Sequence, residues 1–124
     1  MANPNIVSVA SIYGKTVYDT DVSTSATSLV SNAASSGKIL KINSLIIANI
    51  DGTNSADITV TLRNAAGGSL YSTLANTVAV PADATLIVIS KDTSIYLEED
   101  MSLFLQASAL NDLSATCSYE EISE

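Results

Sequence analysis

Two acidic clusters are the first residues that could do chemistry: Asp19-Thr20-Asp21 and Glu98-Glu99-Asp100. Carboxylate oxygens are hard ligands, and Ca2+ takes about six to eight oxygens. Neither cluster has the spacing of an EF-hand loop or its central glycine. Adjacent side chains on a strand also point to opposite faces, which would split such a run. The expectation is therefore solvated turns that bind no metal and keep strand edges from pairing wrongly. Paired carboxylates could instead flank a sugar, as in glycoside hydrolysis. Binding clefts are lined largely by apolar and aromatic side chains. This chain offers five Tyr, one Phe and no Trp, so it is poorly supplied for a sugar platform.

Nucleophiles fare no better. Cys117 is the one cysteine, and the chain has no His to activate it. Its neighbours include Thr116, Ser118 and Glu120, with no cation among them. A thiolate needs a base or a positive neighbour, so Cys117 reads as a small buried hydrophobe. No Gly-x-Ser-x-Gly elbow is present. Gly67-Gly68 is followed by no Lys-Ser or Lys-Thr and no helix, so it reads as a turn and not as a phosphate loop. No catalytic, cofactor-binding or metal-ligating residue is expected, and the chain reads as a non-enzyme.

The five basic residues, Lys15, Lys38, Lys41, Arg63 and Lys91, are scattered singly. Lys38 and Lys41 have two readings: pairing with acidic groups of a neighbouring subunit, or solvated rim charges. Against thirteen Asp and Glu they leave a net charge of −8. Nucleic-acid phosphates call for clustered Lys and Arg, so no nucleic-acid partner is expected. A lone Cys allows no internal disulfide. No basic segment precedes an apolar run at the start, and the apolar stretch over residues 45–50 is far shorter than the roughly 20 residues of a spanning helix. No membrane partner is expected, and the chain reads as a product of a cytoplasm.

The elements that would position these residues are strands. Ile58, Val60 and Leu62 alternate with Thr59, Thr61 and Arg63. Leu113, Ala115, Cys117 and Tyr119 alternate with Ser114, Thr116, Ser118 and Glu120. Period two marks half-buried strands. A β-branched run over residues 6–13 predicts a strand broken at Gly14. Residues 38–50 predict a long central strand, buried on both faces over its second half. Asp51-Gly52 is a hairpin signal, although the loop to residue 55 is longer than two residues. Residues 64–68 close the next hairpin. A strand around residues 77–80 ends at Pro81. Short strands at 86–90 and 94–97 flank Lys91-Asp92, and residues 101–109 form another strand. Residues 24–34 are crowded with Ser and Thr and read as extended, not helical.

The total is about eight or nine antiparallel strands, with turns every 8–12 residues. Fold class is all-β: one jelly-roll-like β-sandwich domain over residues 1–124. Residues 1–13 are either an N-terminal arm or the first strand; they are largely apolar and carry no charged side chain. The core should hold Ile42, Leu45, Ile47, Ile58, Val60, Leu62, Leu86, Val88, Leu103, Leu105, Ala115 and Cys117.

Five segments carry a resemblance along nearly the whole chain: residues 1–13 (MANPNIVSVASIY), 42–61 (INSLIIANIDGTNSADITVT), 80–89 (VPADATLIVI), 94–100 (SIYLEED) and 114–124 (SATCSYEEISE). In these the chain resembles small all-β structural proteins of tailed bacteriophages, common among phages of marine cyanobacteria and other marine bacteria. The resemblance implies a virion protein: a capsid decoration (cement) subunit or a neck, collar or tail accessory. Its implied partners are major capsid, neck or tail proteins and copies of itself, as a homo-oligomer. It carries no catalytic motif. The alternative from a different class is a carbohydrate-binding β-sandwich module for host attachment.

Overall fold

The computed structural model describes residues 3–124. Nine strands form in them: β1 (Ser11–Asp19), β2 (Thr27–Asn32), β3 (Lys38–Asn49), β4 (Ala56–Arg63), β5 (Leu70–Val80), β6 (Thr85–Ile89), β7 (Ile95–Leu97), β8 (Met101–Ala107) and β9 (Leu113–Ser123). One sheet has the order β1-β9-β3-β6, with β7 also on β3; the other has the order β2-β8-β4-β5. Every pairing is antiparallel. β6 pairs with Leu45–Ala48 of β3 and β7 with Leu40–Ile42, so the two make one edge interrupted by a 3-10 turn at Lys91–Thr93. With that edge counted once, the order is that of a jelly roll: eight strands in two sheets.

The topology changes the meaning of one turn. Residues 51–55 link β3 of one sheet to β4 of the other, so Asp51-Gly52 makes a corner between sheets and not the hairpin its dipeptide predicts. Asp51 shapes it by accepting hydrogen bonds from the Thr53 and Asn54 backbone N–H groups at 2.8 and 3.3 Å. Asn49, buried at the end of β3, donates through Nδ2 to Asn54 O and Val80 O at 3.0 and 2.8 Å. Asn32 does the same at the end of β2, donating to Lys38 O and Leu97 O at 2.9 and 3.0 Å. Each buried amide ties a sheet-crossing corner to a strand end and satisfies carbonyls that burial would otherwise strand. The β4–β5 turn is a hairpin, as expected. Gly67 adopts φ +86° there, and a Cβ on it would lie 2.5 Å from Phe104 Cζ.

Period two carries the core. Ile58 and Val60 on β4, Leu103 and Leu105 on β8, and Leu113, Ala115 and Cys117 on β9 are all buried between the sheets. Fully burying one such aliphatic side chain is worth about 1.5–3 kcal/mol. Nine of the twelve expected core residues are buried; Leu62, Leu86 and Val88 are only partly covered. Leu62 sits beside the hairpin and the other two on the edge strand β6, where neighbours cover one side alone. On β3 the register shifts between Ile42 and Ser44, so Leu40, Ile42, Leu45 and Ile47 all face the core. Its second half is buried on one face, not both: Ile46 and Ala48 on the other face stay partly exposed. Each sheet of a sandwich keeps one solvent face.

The chain start differs from expectation. β1 begins at Ser11 and runs through Gly14 to Asp19 in continuous register with β9. Gly14 breaks nothing, and an added Cβ would meet no atom within 4 Å. Residues 6–8 form a turn, with Ser8 N–H donating to Asn5 O at 3.1 Å. The segment ahead of β1 is bound to its own domain. Asn3 donates to Glu98 at 2.6 Å, Asn5 N–H to Glu124 at 3.2 Å and Ala10 N–H to Ser123 O at 3.0 Å. Met1 and Ala2 of the 1–13 segment lie outside the described residues.

Candidate assembly interface

The acidic clusters resolve into turn chemistry. Asp19 accepts from Asp21 N–H at 3.1 Å, and Asp21 in turn accepts from Asn111 N–H at 2.8 Å, joining two loops at one end of the sandwich. Glu98 holds Asn3, and Asp100 accepts from Ala65 N–H at 3.1 Å. Among the described residues no three His, Cys, Asp or Glu side chains converge as a metal cage. A carboxylate pair that no sequence motif marks lies at the same end as Asp21. Asp112 is buried, and burial together with neighbouring Asp51 raises its pKa. Asp51 is held low by its hydrogen bonds from Thr53 and Asn54.

Cys117 faces the core with no exposed surface, and burial pushes its thiol up to about 12. A thiol so placed is neither nucleophile nor ligand. Lys38 has an acidic partner within its own chain: its Nζ lies 2.6 Å from Glu121, which also binds Lys15. The two ammonium groups hold the Glu121 carboxyl below its ordinary range, and Glu121 raises Lys15. Arg63 lies over the Phe104 ring at 5.3 Å. A shallow recess of about 140 Å3 is lined by Asp57, Thr59, Thr77, Gln106, Ala107 and Ser108, with no aromatic ring. Its polar groups already serve the backbone: Ser108 Oγ accepts from Asp57 N–H, Thr59 Oγ1 from Thr77 N–H, and Gln106 donates to Thr24 O.

The surface that stands out is made of strand edges. Thirteen large apolar side chains are exposed among the described residues. Nine of them sit on edge strands: Ile12, Tyr13 and Tyr18 on β1, four on β5, Ile87 on β6 and Tyr96 on β7. The four strands of the sheet interiors, β3, β4, β8 and β9, carry none. β5 (LYSTLANTVAV) has no charged residue and no Pro over eleven residues. Edge strands ordinarily use charges, Pro or bulges to prevent pairing with another chain. β5 relies on bulges: its register against β4 shifts three times. β2 and β6 each carry one register shift as well. β1 has none across nine residue pairs.

No family model and no curated protein matches this chain. A solved structure does: a subunit of Bacillus endospore appendages, described as forming a novel family of disulfide-linked pili. The TM-score is 0.51 at 13% identity, covering 90% of this chain and 88% of that one. The likeness is one of fold. It agrees with the all-β sandwich reached from the strand pairings, over nearly the full length of both chains.

Proposed function

We propose that this chain is a non-catalytic structural subunit of a tailed-bacteriophage virion. It acts as a capsid decoration protein or a neck, collar or tail accessory, and it joins copies of itself and other virion proteins through protein–protein contacts. The observation that carries the assembly reading is the open edge β1, which stays in register with β9 over nine residue pairs and bears exposed apolar side chains. Open edges offer backbone hydrogen bonds and apolar pockets to a further strand. Support for the virion comes from the sequence segments at residues 1–13, 42–61, 80–89, 94–100 and 114–124. A fold shared with a pilus subunit is in keeping with a building block, although the mode of joining must differ. The endospore pili are disulfide-linked; here the single Cys117 is buried in the core, so folded copies join without a disulfide.

The test is mass spectrometry of purified particles, with stoichiometry against the major capsid protein. Copies on the order of hundreds mean decoration, and about a dozen or fewer mean a closed ring at the neck, collar or tail. Absence of the chain from purified particles would overturn the virion reading.

A further inference from the structure

We propose that β1 pairs with β1 of a second copy, antiparallel and about a two-fold axis, so that the two β1-β9-β3-β6 sheets become one. This deepens the assembly reading and rests on it. An isologous contact of this kind is the commonest route to a homodimer. Three observations favour it. First, β1 is the one long edge without a bulge: nine residues stay in step with β9. A long, flat, apolar edge is a template for another strand. Second, Tyr18, in the half of β1 away from residues 3–10, is 70% exposed. Third, its charges are self-complementary. Lys15 and Asp19 lie four residues apart and so share one face of the strand.

The charges also choose the register. Full overlap of the two strands centres the axis on Lys15 and sets Lys15 against its own copy. Like charges directly opposite are destabilising. Sliding the pair by two positions along each strand centres the axis on Val17. Lys15 then faces the partner's Asp19 on both sides of the axis, Thr16 faces Tyr18, and Val17 faces Val17. Asp19 has the capacity to accept: one of its carboxylate oxygens receives Asp21 N–H, and among the described residues no hydrogen bond engages the other. Lys15 is partly exposed beside Glu121 and keeps ammonium donors for a second carboxylate. The paired stretch is the half of β1 away from residues 3–10, which are tied to the chain's far end at Ser123 and Glu124.

Cysteine cross-linking tests the register, because a residue on the axis meets itself. Val17 stands directly opposite Cys117 on β9, so the test uses a Cys117→Ala background: there the Val17→Cys protein should form a covalent dimer under mild oxidation, and the Lys15→Cys protein should not. Sedimentation across a concentration series tests the contact without new thiols. Lys15→Glu should weaken self-association on the order of tenfold or more, since two attractive pairs become repulsive. The double variant Lys15→Asp, Asp19→Lys should restore it. Cross-linking through Lys15→Cys in place of Val17→Cys, or a double variant as weak as the single, overturns the pairing. A monomer that still enters particles at fixed stoichiometry also overturns it, and leaves the virion assignment standing. A β1-linked dimer that never enters particles does the reverse.

Discussion

β1 and β5 are both edge strands with exposed apolar side chains, yet they solve the edge problem in opposite ways. β5 sets eleven residues against the eight of β4. The surplus is taken up in three register shifts, and Thr77 adopts φ +46°. A strand so bulged is twisted and offers no continuous row of donors and acceptors to a second chain. β1 stays in step with β9 over nine pairs, carries two opposite charges and presents a regular row. Apolar content alone therefore does not mark a docking edge. Backbone regularity separates an edge that can be extended from one that is closed by its own geometry.

Both edges hang on one core, and the largest effect should come from breaking it. Ile58 is fully buried on β4 and pairs with Val78 of β5 and Ala107 of β8. Ile58→Asp places an unpaired carboxylate there and should cost several kcal/mol, of order 4 or more. Chemical denaturation should show the midpoint collapse or no folded baseline. A variant that melts like the parent would break the assignment of inner and outer faces.

Glycines sharpen the comparison next. Gly67 heads the hairpin that delivers β5, with φ +86° and Phe104 in the place of any Cβ. Gly67→Ala meets both a backbone penalty and a clash, and should cost about 1–3 kcal/mol. Gly14 on β1 has ordinary strand geometry and open space. Gly14→Ala should be neutral or stabilise by about 0.5–1 kcal/mol through reduced chain entropy. Paired thermal melts of the two variants should move in opposite directions or leave only the second unchanged. Equal losses would mean that β1 is as constrained as the hairpin.

These contrasts also show what is legible in sequence. β4 alternates over Ala56–Val60 and β9 over Leu113–Cys117, so the inner and outer faces of those stretches follow from the residue pattern alone. For β5 the pattern predicts only the stretch near residues 77–80, because its bulges destroy period two over Leu70–Thr77. Residues 6–10 have the β-branched composition of a strand, but they turn at residues 6–8 and bind the ends of other elements instead. Composition does not state where a ladder begins. Which strands become edges depends on strand order, and local pattern carries no record of that order. The Lys15–Glu121–Lys38 group and the Asp51–Asp112 pair join residues from distant strands or loops. Only the folded register brings them together, so neither forms a motif along the chain.

That ion cluster gives β1 a pH signature that β5 lacks. Glu121 has a folded pKa below its unfolded value, held there chiefly by its hydrogen bonds from Lys15 and Lys38. Its contribution is present above the unfolded value and is lost as pH falls through the folded one. Asp112 has the opposite sign: its folded pKa is raised by burial and by Asp51, so the fold favours its proton. That contribution is present below the unfolded value and is lost as pH rises through the folded one. Acid titration of stability should therefore flatten in Glu121→Gln and steepen in Asp112→Asn. An unchanged profile in Glu121→Gln would mean that the ion cluster does not stabilise β1.

The smallest effect is expected at Thr77, and it asks whether the irregularity of β5 is imposed or chosen. A β-branched residue at φ +46° is unusual, since its branched side chain crowds the backbone in the left-handed region. Its N–H is held by Thr59 Oγ1 at 3.1 Å, so the bulge is fastened to β4 by a side chain and not by the ladder alone. Thr77→Gly removes the crowding and keeps the N–H, at the cost of more freedom in the unfolded chain. The two terms nearly offset, so stability should change by less than about 1 kcal/mol. Thr59→Val removes the acceptor while keeping the shape, and should cost about 1 kcal/mol where Thr77→Gly costs little. Hydrogen exchange of the residue 77 amide should rise in Thr59→Val ahead of global unfolding. If Thr77→Gly instead costs more than Thr59→Val, the threonine side chain itself holds the bulge, and the closure of this edge rests on packing and not on the hydrogen bond.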